Sequence, residues 1–384
     1  MRVLIDARPA LDPRPTGVGH YVRQIVRHLP AADPEGRYAA WYLHARGALR
    51  PRRFFPDVAN LAERATRVPS RLYHAVAWRV GLPRVEWLTS EFDVLLATNF
   101  VSPPTSRRVA LVVHDLAFRL FPESAPHHGP RWTQRFEEGL ARAEVVIVPS
   151  DATRRDLLDL YAVDPARVAA IHHGLDAHDF HPAPLPEVAR ARRAFGVGEA
   201  PYALFLGALE SRKNLETLVR AFQEVPAPAK LVIAGGPVRW DPAAAERLDR
   251  AIEGLPPGVG GRVTRTGYVG DADKVALLTG ATVVAYPSRY EGFGFPVLEG
   301  FAAGVPVLAS NVSSLPEVAG DAAVLVDPDD PVAIGKELAR LFDDEDLRNV
   351  LRAAGHARVA SFTWEATARA TAAALHRVVP ADLG

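Results

Sequence analysis

Short runs of β-forming apolar residues alternate with helical stretches along this chain, and that alternation constrains the fold more than any other feature. The early runs are Val3–Asp6, Val94–Thr98, Val109–Val113 and Val145–Pro149. The later ones are Ala203–Gly207, Leu231–Gly235, Val263–Gly267, Val283–Tyr286, Pro306–Ala309 and Ala323–Val326. Nearly continuous apolar runs suit strands buried on both faces. Helical patterns such as Val188–Phe195 and Leu215–Gln223 lie between them, and strand–helix alternation means parallel sheets built from βαβ units. With 384 residues, two domains are expected. The segment His178–Pro186 has three prolines in five residues; proline removes donors and disfavours helix before it, so it reads as a linker. The expectation is an α/β chain of two Rossmann-like, doubly wound domains, 1–180 and 187–361, facing across a cleft. A last helix, 364–379, follows the second domain, and the sequence leaves open whether it packs back on the first.

Composition removes several classes of function. The chain has no cysteine, which excludes thiolate zinc sites, iron–sulfur clusters, redox dithiols and cysteine nucleophiles and fits a reducing cytoplasm. Lys+Arg and Asp+Glu are both 45, without the basic excess of a nucleic-acid binder. The N-terminus lacks the pattern of a secretory signal, and no charge-free apolar window is long enough to predict a transmembrane helix. Only four of the basic residues are lysine: Lys213, Lys230, Lys274 and Lys336.

The densest chemical signal is Ser288–Gly304, S-R-Y-E-G-F-G-F-P-V-L-E-G-F-A-A-G, directly after the run Val283–Tyr286. Pro296 suits the first turn of a helix and Gly304 its C-terminal stop. Gly292 and Gly294, flanked by Phe293 and Phe295, let backbone approach a ligand, and the helix N-terminus favours an anion. Glu291 and Glu299 stand on either side of this turn, on the carboxyl edge of the sheet where open α/β folds bind ligands.

Glu291 and Glu299, with seven residues between them and the G-F-G-F-P interior, resemble the E-x7-E motif of retaining glycosyltransferases of family 4, which have the GT-B fold. The resemblance extends over nearly the whole chain and is strongest toward bacterial mannosyltransferases of cell-surface polysaccharide pathways. It implies that Glu291 contacts the transferred sugar, that Glu299 holds the ribose of the nucleotide, and that Gly292, Phe293, Gly294 and Phe295 contact sugar and diphosphate through their amides. It further implies that Arg212 and Lys213, in the loop of Leu206–Asn214 (L-G-A-L-E-S-R-K-N), bind the diphosphate. The two are adjacent here, whereas family members often separate them, and which makes the closer contact stays open. Fixed cations answer the charge that develops on a leaving diphosphate when no metal is present. Asn214 is expected to cap the following helix.

Gly17 and Gly19, in Thr16-Gly17-Val18-Gly19 before a helix over His20–Leu29, resemble the family's glycine loop near the diphosphate or acceptor. The run lacks the third glycine and the later acidic residue of a dinucleotide fingerprint, which disfavours NAD. His114, after the run Val109–Val113, matches a histidine that touches the donor sugar in the family; a satisfied structural histidine is the other reading, and Asp115 fixes a turn or orients the ring. Tyr268 and Val269 fall where family members contact the nucleobase through backbone. Ser150 or Asp151 reads as a helix cap. His127-His128 and His172-His173 lack a third ligand at metal spacing. Asp327-Pro328-Asp329-Asp330 reads as a cap before Pro331. The resemblance implies no metal and no cofactor beyond the donor substrate.

Between Arg46 and Arg84, nine arginines interleave with Phe54, Phe55, Leu72, Tyr73, Val76 and Trp78, a candidate contact for an anionic membrane face or a lipid-diphosphate acceptor. The resulting expectation is a metal-independent, retaining transferase moving a hexose, first of all mannose from GDP-mannose, onto a glycan or lipid-linked acceptor. Its place is cytoplasmic, with peripheral contact at the inner membrane face as a further candidate. A GT-B phosphorylase, a sugar-nucleotide epimerase or a non-catalytic nucleotide-sugar-binding protein would share the architecture.

Overall fold

The computed structural model describes the chain except residues 13–15, 45–53, 71–72, 74–75, 77–79, 90, 125–128 and 379–384. It divides into two compact units: Met1–Leu116, His128–Gly174 and Thr363–Gly384 form the first, and Ala117–His127 and Leu175–Phe362 the second. Most arginines of the 46–84 stretch and the pair His127-His128 lie outside the described residues.

In the first unit, β1 (Arg2–Asp6) leads into α1 (Gly17–Ala32), followed by β2 (Arg37–Leu43), β3 (Leu61–Thr66), β4 (Val94–Ala97) and β5 (Arg108–Val112). Then come α2 (Pro130–Arg142), β6 (Val145–Val148), α3 (Asp151–Leu160) and β7 (Val168–Ala170). The strands form one sheet in the order β3-β2-β1-β4-β5-β6-β7, and every pairing is parallel. The strand order reverses direction between β1 and β4, the crevice position where such sheets bind ligands. Strands β4 and β6 are buried throughout, as expected of strands covered on both faces.

The second unit runs α4 (Leu185–Ala194), β8 (Tyr202–Leu206), α5 (Leu215–Ala221), β9 (Lys230–Ala234), α6 (Pro242–Glu253), β10 (Val263–Gly267), α7 (Asp271–Thr279) and β11 (Val283–Tyr286). It continues with α8 (Phe295–Ala302), β12 (Val307–Ser310), β13 (Ala323–Val326), α9 (Pro331–Asp343) and α10 (Glu345–Val359). Its parallel sheet has the order β10-β9-β8-β11-β12-β13, so its switch point lies between β8 and β11. One core contains β8, β9, β11 and β12 together with Leu218, Leu277, Phe301 and Leu338 from the covering helices.

Two expectations about organisation are corrected. Residues 178–186 do not separate the units, because Leu175 and Phe180 are buried in the second core and the division falls after Gly174. The first unit also lacks Ala117–His127, which cluster with the second. The last helix, α11 (Trp364–His376), belongs to the first unit. Trp364 is buried beside Tyr21 and His173, and the Thr367 hydroxyl donates to the His172 carbonyl at 2.7 Å. The approach is close at Gly174, where a Cβ would stand 2.2 Å from the Trp364 nitrogen.

Candidate active site

In the second unit, the loops after β8, β11, β12 and β13 converge at the carboxyl edge of the sheet. Ser211–Lys213 form a single 3-10 turn after β8, not an open loop. The buried Asp241 carboxylate accepts from the Ser211 nitrogen at 2.7 Å and its hydroxyl at 2.5 Å. Asn214 is not the expected helix cap. It adopts φ 61° and makes no side-chain cap bond; its Nδ2 donates to Pro287 O at 3.0 Å and Pro328 O at 2.7 Å. It therefore ties the turn to the loops that follow β11 and β13, a use that displaces capping because an αL residue breaks the Ncap geometry.

This turn brings Arg212 and Lys213 onto Glu291. Lys213 Nζ lies 2.5 Å from Glu291 Oε1 and also donates to the Tyr286 hydroxyl. Arg212 Nη1 donates to Glu291 Oε2 at 2.9 Å and to the Tyr290 carbonyl at 2.8 Å, while Nη2 pairs with Glu210 at 2.8 Å. The hydroxyls of Tyr286 and Ser288 complete the cluster, donating to Glu291 Oε1 at 2.8 and 2.7 Å. The backbone of Glu291 is held as well: its carbonyl accepts from Ser313 at 2.6 Å and Ser314 at 2.9 Å.

Burial alone would raise the Glu291 carboxyl, but Arg212 and Lys213 outweigh it and hold the group at about 2. Burial and the neighbouring Arg212 push Lys213 below the usual lysine range, against the pull of Glu291 and Glu210. Two cations serve Glu291 and overcome its burial, whereas for Lys213 burial is the largest influence and Arg212 adds to it, so Glu291 and Glu210 do not restore its usual range. Burial and the adjacent carboxylate push the Tyr286 phenol well up, so it stays a donor.

Beyond Glu291 the chain enters α8. Gly294 has φ 112°, and a Cβ there would lie 2.7 Å from Leu315 Cδ2, so glycine is required for both conformation and space. Phe293 is buried with its ring edge-on to Phe295 at 5.3 Å. Pro296 lies in the first turn of α8, and Gly304 follows its last turn at φ 70°. Glu299, inside α8, pairs with Lys274 of α7 at 3.0 Å. Tyr268 is largely exposed and Val269 half-buried at the end of β10.

In the first unit, His114 is buried after β5, and its Nε2 donates to the Thr98 carbonyl at 2.8 Å. Burial lowers its pKa, so the ring is neutral with Nδ1 as the acceptor. Its ring lies among Tyr21, Phe100 and His173, at 5.1, 5.6 and 5.8 Å. Gly17 and Gly19 lie inside the first turn of α1 rather than in a loop before it. Neither takes a positive φ, so nothing delays the helix. Ser150 caps α3 through the Thr153 nitrogen at 3.0 Å. Asp330 caps α9 through Val332 and Ala333 at 3.0 and 2.9 Å.

Residues 15–179 match the model described as Glycosyltransferase Family 4, and residues 189–358 the model described as Glycosyl transferases group 1. The chain is 30% identical over 376 residues to a D-inositol 3-phosphate glycosyltransferase of Kineococcus radiotolerans, covering 92% of this chain and 81% of that protein. It belongs to the family 4 glycosyltransferases. O-antigen chain mannosyltransferase B of Escherichia coli is 28% identical to this glycosyltransferase over 381 residues, 95% of this chain and 97% of that one. The structure of HepE from Anabaena in complex with UDP and glucose has a TM-score of 0.71 at 17% identity, covering 98% of this chain and 100% of that one. The lipopolysaccharide glycosyltransferase WaaG has a TM-score of 0.67 at 15% identity, covering 99% and 100%. The two Rossmann-like units are those of the GT-B fold.

No role was legible in the sequence for Tyr286, Ser288, Ser313, Ser314 and Lys274, which the structure places against Glu291 and Glu299. The available signals were a hydroxyl at the carboxyl end of β11, and a serine pair just past β12.

Proposed function

We propose that this glycosyltransferase moves a hexose, first of all mannose, with retention from a nucleotide-diphosphate sugar, first of all GDP-mannose, to a glycan or lipid-linked acceptor. The observation that carries the reading is the clasp of Arg212 and Lys213 around the ionised Glu291 at the entrance to α8. Lys213 spends two of its three N–H donors on Tyr286 and Glu291, which leaves one for an oxygen of the departing diphosphate. Fixed cations of this kind stabilise charge as it develops, without reorganisation, so the transfer needs no metal. The bond from the sugar's anomeric carbon to the diphosphate breaks through an oxocarbenium-like state. An acceptor hydroxyl then attacks the same face, with no protein nucleophile, and gives its proton to an oxygen of the departing diphosphate. Glu291 contacts the sugar, the backbone of Gly292–Phe295 cradles sugar and diphosphate, Glu299 holds the ribose, and Tyr268–Val269 meet the base. In the first unit, His114, Gly17 and Gly19 stay candidates for sugar, diphosphate or acceptor contact.

The mannosyltransferase relative supports the choice of sugar. The Kineococcus relative supports a second reading of the acceptor, a small phosphorylated polyol. Membrane contact is the reading for the Arg46–Arg84 stretch, near whose end Val80 and Leu82 are exposed and Arg84 lies 5.8 Å from the ring of the exposed Trp87. Among the described residues no helix is long and apolar enough to cross a membrane; co-sedimentation with anionic vesicles tests surface contact.

Thermal shifts with GDP, UDP, ADP and dTDP test the donor. A ligand at about a hundred times its dissociation constant adds ~2.7 kcal/mol, on the order of 5–10 °C for a unit of this size. A shift with GDP alone supports the proposal. A shift with another base replaces GDP, and no shift with any of the four overturns the donor site.

A further inference from the structure

The two oxygens of Glu291 are used unequally. Oε1 accepts from Lys213 Nζ at 2.5 Å, Ser288 Oγ at 2.7 Å and the Tyr286 hydroxyl at 2.8 Å. Oε2 accepts from Arg212 Nη1 at 2.9 Å. A carboxylate oxygen offers about two lone-pair positions, so Oε1 is saturated and Oε2 keeps room for another donor. Tyr286 is central to this division, because its hydroxyl bonds Lys213 as well as Oε1. Its ring has no freedom: it is fully buried at the end of β11 and stacks on Phe205 at 5.6 Å with 15° between planes.

We propose that Tyr286 is a positioning residue. Its hydroxyl fixes Oε1 and Lys213 together, so that Glu291 presents Oε2 to the transferred sugar and Lys213 presents its remaining N–H to the leaving phosphate. Ser288 serves the same oxygen from the next turn of chain. The inference rests on the reading of Glu291 as the sugar-contacting carboxylate. Its chemistry is specific to the hydroxyl, because phenylalanine at 286 would keep the packing on Phe205 and lose only the two hydrogen bonds. Without that hydroxyl Oε1 keeps only Lys213 and Ser288 as donors, so the carboxylate is held less tightly, and the ammonium loses one of its two anchors.

The test is steady-state transfer by the full chain carrying Tyr286→Phe, Glu291→Gln and both changes, with the donor identified by the nucleotide panel. Losing a hydrogen bond to a charged group lowers kcat about 10- to 100-fold. Donor KM stays within about threefold, because the groups set by Tyr286 act on the reacting centre. In the Glu291→Gln background, Tyr286→Phe is expected to cost clearly less than in the parent, because only its anchoring of Lys213 is left to lose. A kcat for Tyr286→Phe within twofold of the parent, a change in KM alone, or an equal loss in the Gln background overturns the proposal. If Tyr286→Phe does not fold, Ser288→Ala removes another donor to Oε1 and must show the same split. Parental turnover by Glu291→Gln would instead overturn the reading of Glu291, and the positioning role with it. A crippled Glu291→Gln beside an unaffected Tyr286→Phe would overturn only the positioning role.

Discussion

At the scale of single residues, the protonation of Glu291 is tied to stability. Its carboxyl is held at about 2 against an ordinary value of 4.5. A carboxyl depressed by folding contributes stability above its ordinary value and loses it as pH falls toward the folded one. The stability advantage of the parent chain over Glu291→Gln is therefore expected to shrink as pH falls from about 5 to about 3. Urea unfolding at several pH values reads this, and a constant gap would contradict it. Lys213→Ala is expected to lower turnover about 100- to 1,000-fold while the circular dichroism spectrum stays folded, since Arg212 still pairs with Glu291. Full turnover in that variant would remove Lys213 from the reaction. Glu291, Arg212 and Lys213 were candidates in the sequence through their resemblance to the family's motifs, which carries no sign that Arg212 and Lys213 close on Glu291. Tyr286 was not, because a tyrosine ending an apolar run reads as core, and only the folded geometry shows its hydroxyl between an ammonium and a carboxylate.

Among elements, the strands buried on both faces were legible and those at the margin of the first sheet were not. Strand β3, Leu-Ala-Glu-Arg-Ala-Thr, is an edge strand with partly exposed charges, so it never forms an apolar run. The opposite edge, β7, has only three residues. Strand β2 is neither short nor polar, but its Tyr-Ala-Ala-Trp-Tyr interior follows a proline-rich turn and lacks the aliphatic signature of its neighbours. The last helix was legible as a helix, but its partner was not, because the sequence carries no sign of the close approach at Gly174. Gly174→Ala is expected to destabilise the first unit by about 1–3 kcal/mol, the cost of forcing a methyl group into packed atoms. Thermal unfolding checks this, and an unchanged midpoint would mean that Trp364 yields without cost.

For the whole molecule, the unequal assignment of chain to the two units has consequences that cutting the chain exposes. Every buried member of the second core lies between Leu175 and Phe362. A fragment spanning those residues is expected to unfold in one cooperative calorimetric transition. It gives up the packing of Phe121 against Tyr290, whose rings lie 5.6 Å apart. A fragment of residues 1–174 is expected to show no such transition, because it leaves Tyr21 and His173 without Trp364. A sharp transition in the second fragment, or its absence in the first, would contradict this.

The return of α11 to the first unit also dictates an order of events on the ribosome. As the nascent chain emerges, β1 and α1 appear at once, but the tryptophan that seals them is translated only after Phe362. The second unit therefore completes its core first. The first unit, begun earliest, waits with an open apolar seam, and this is the interval in which a chaperone would find something to hold.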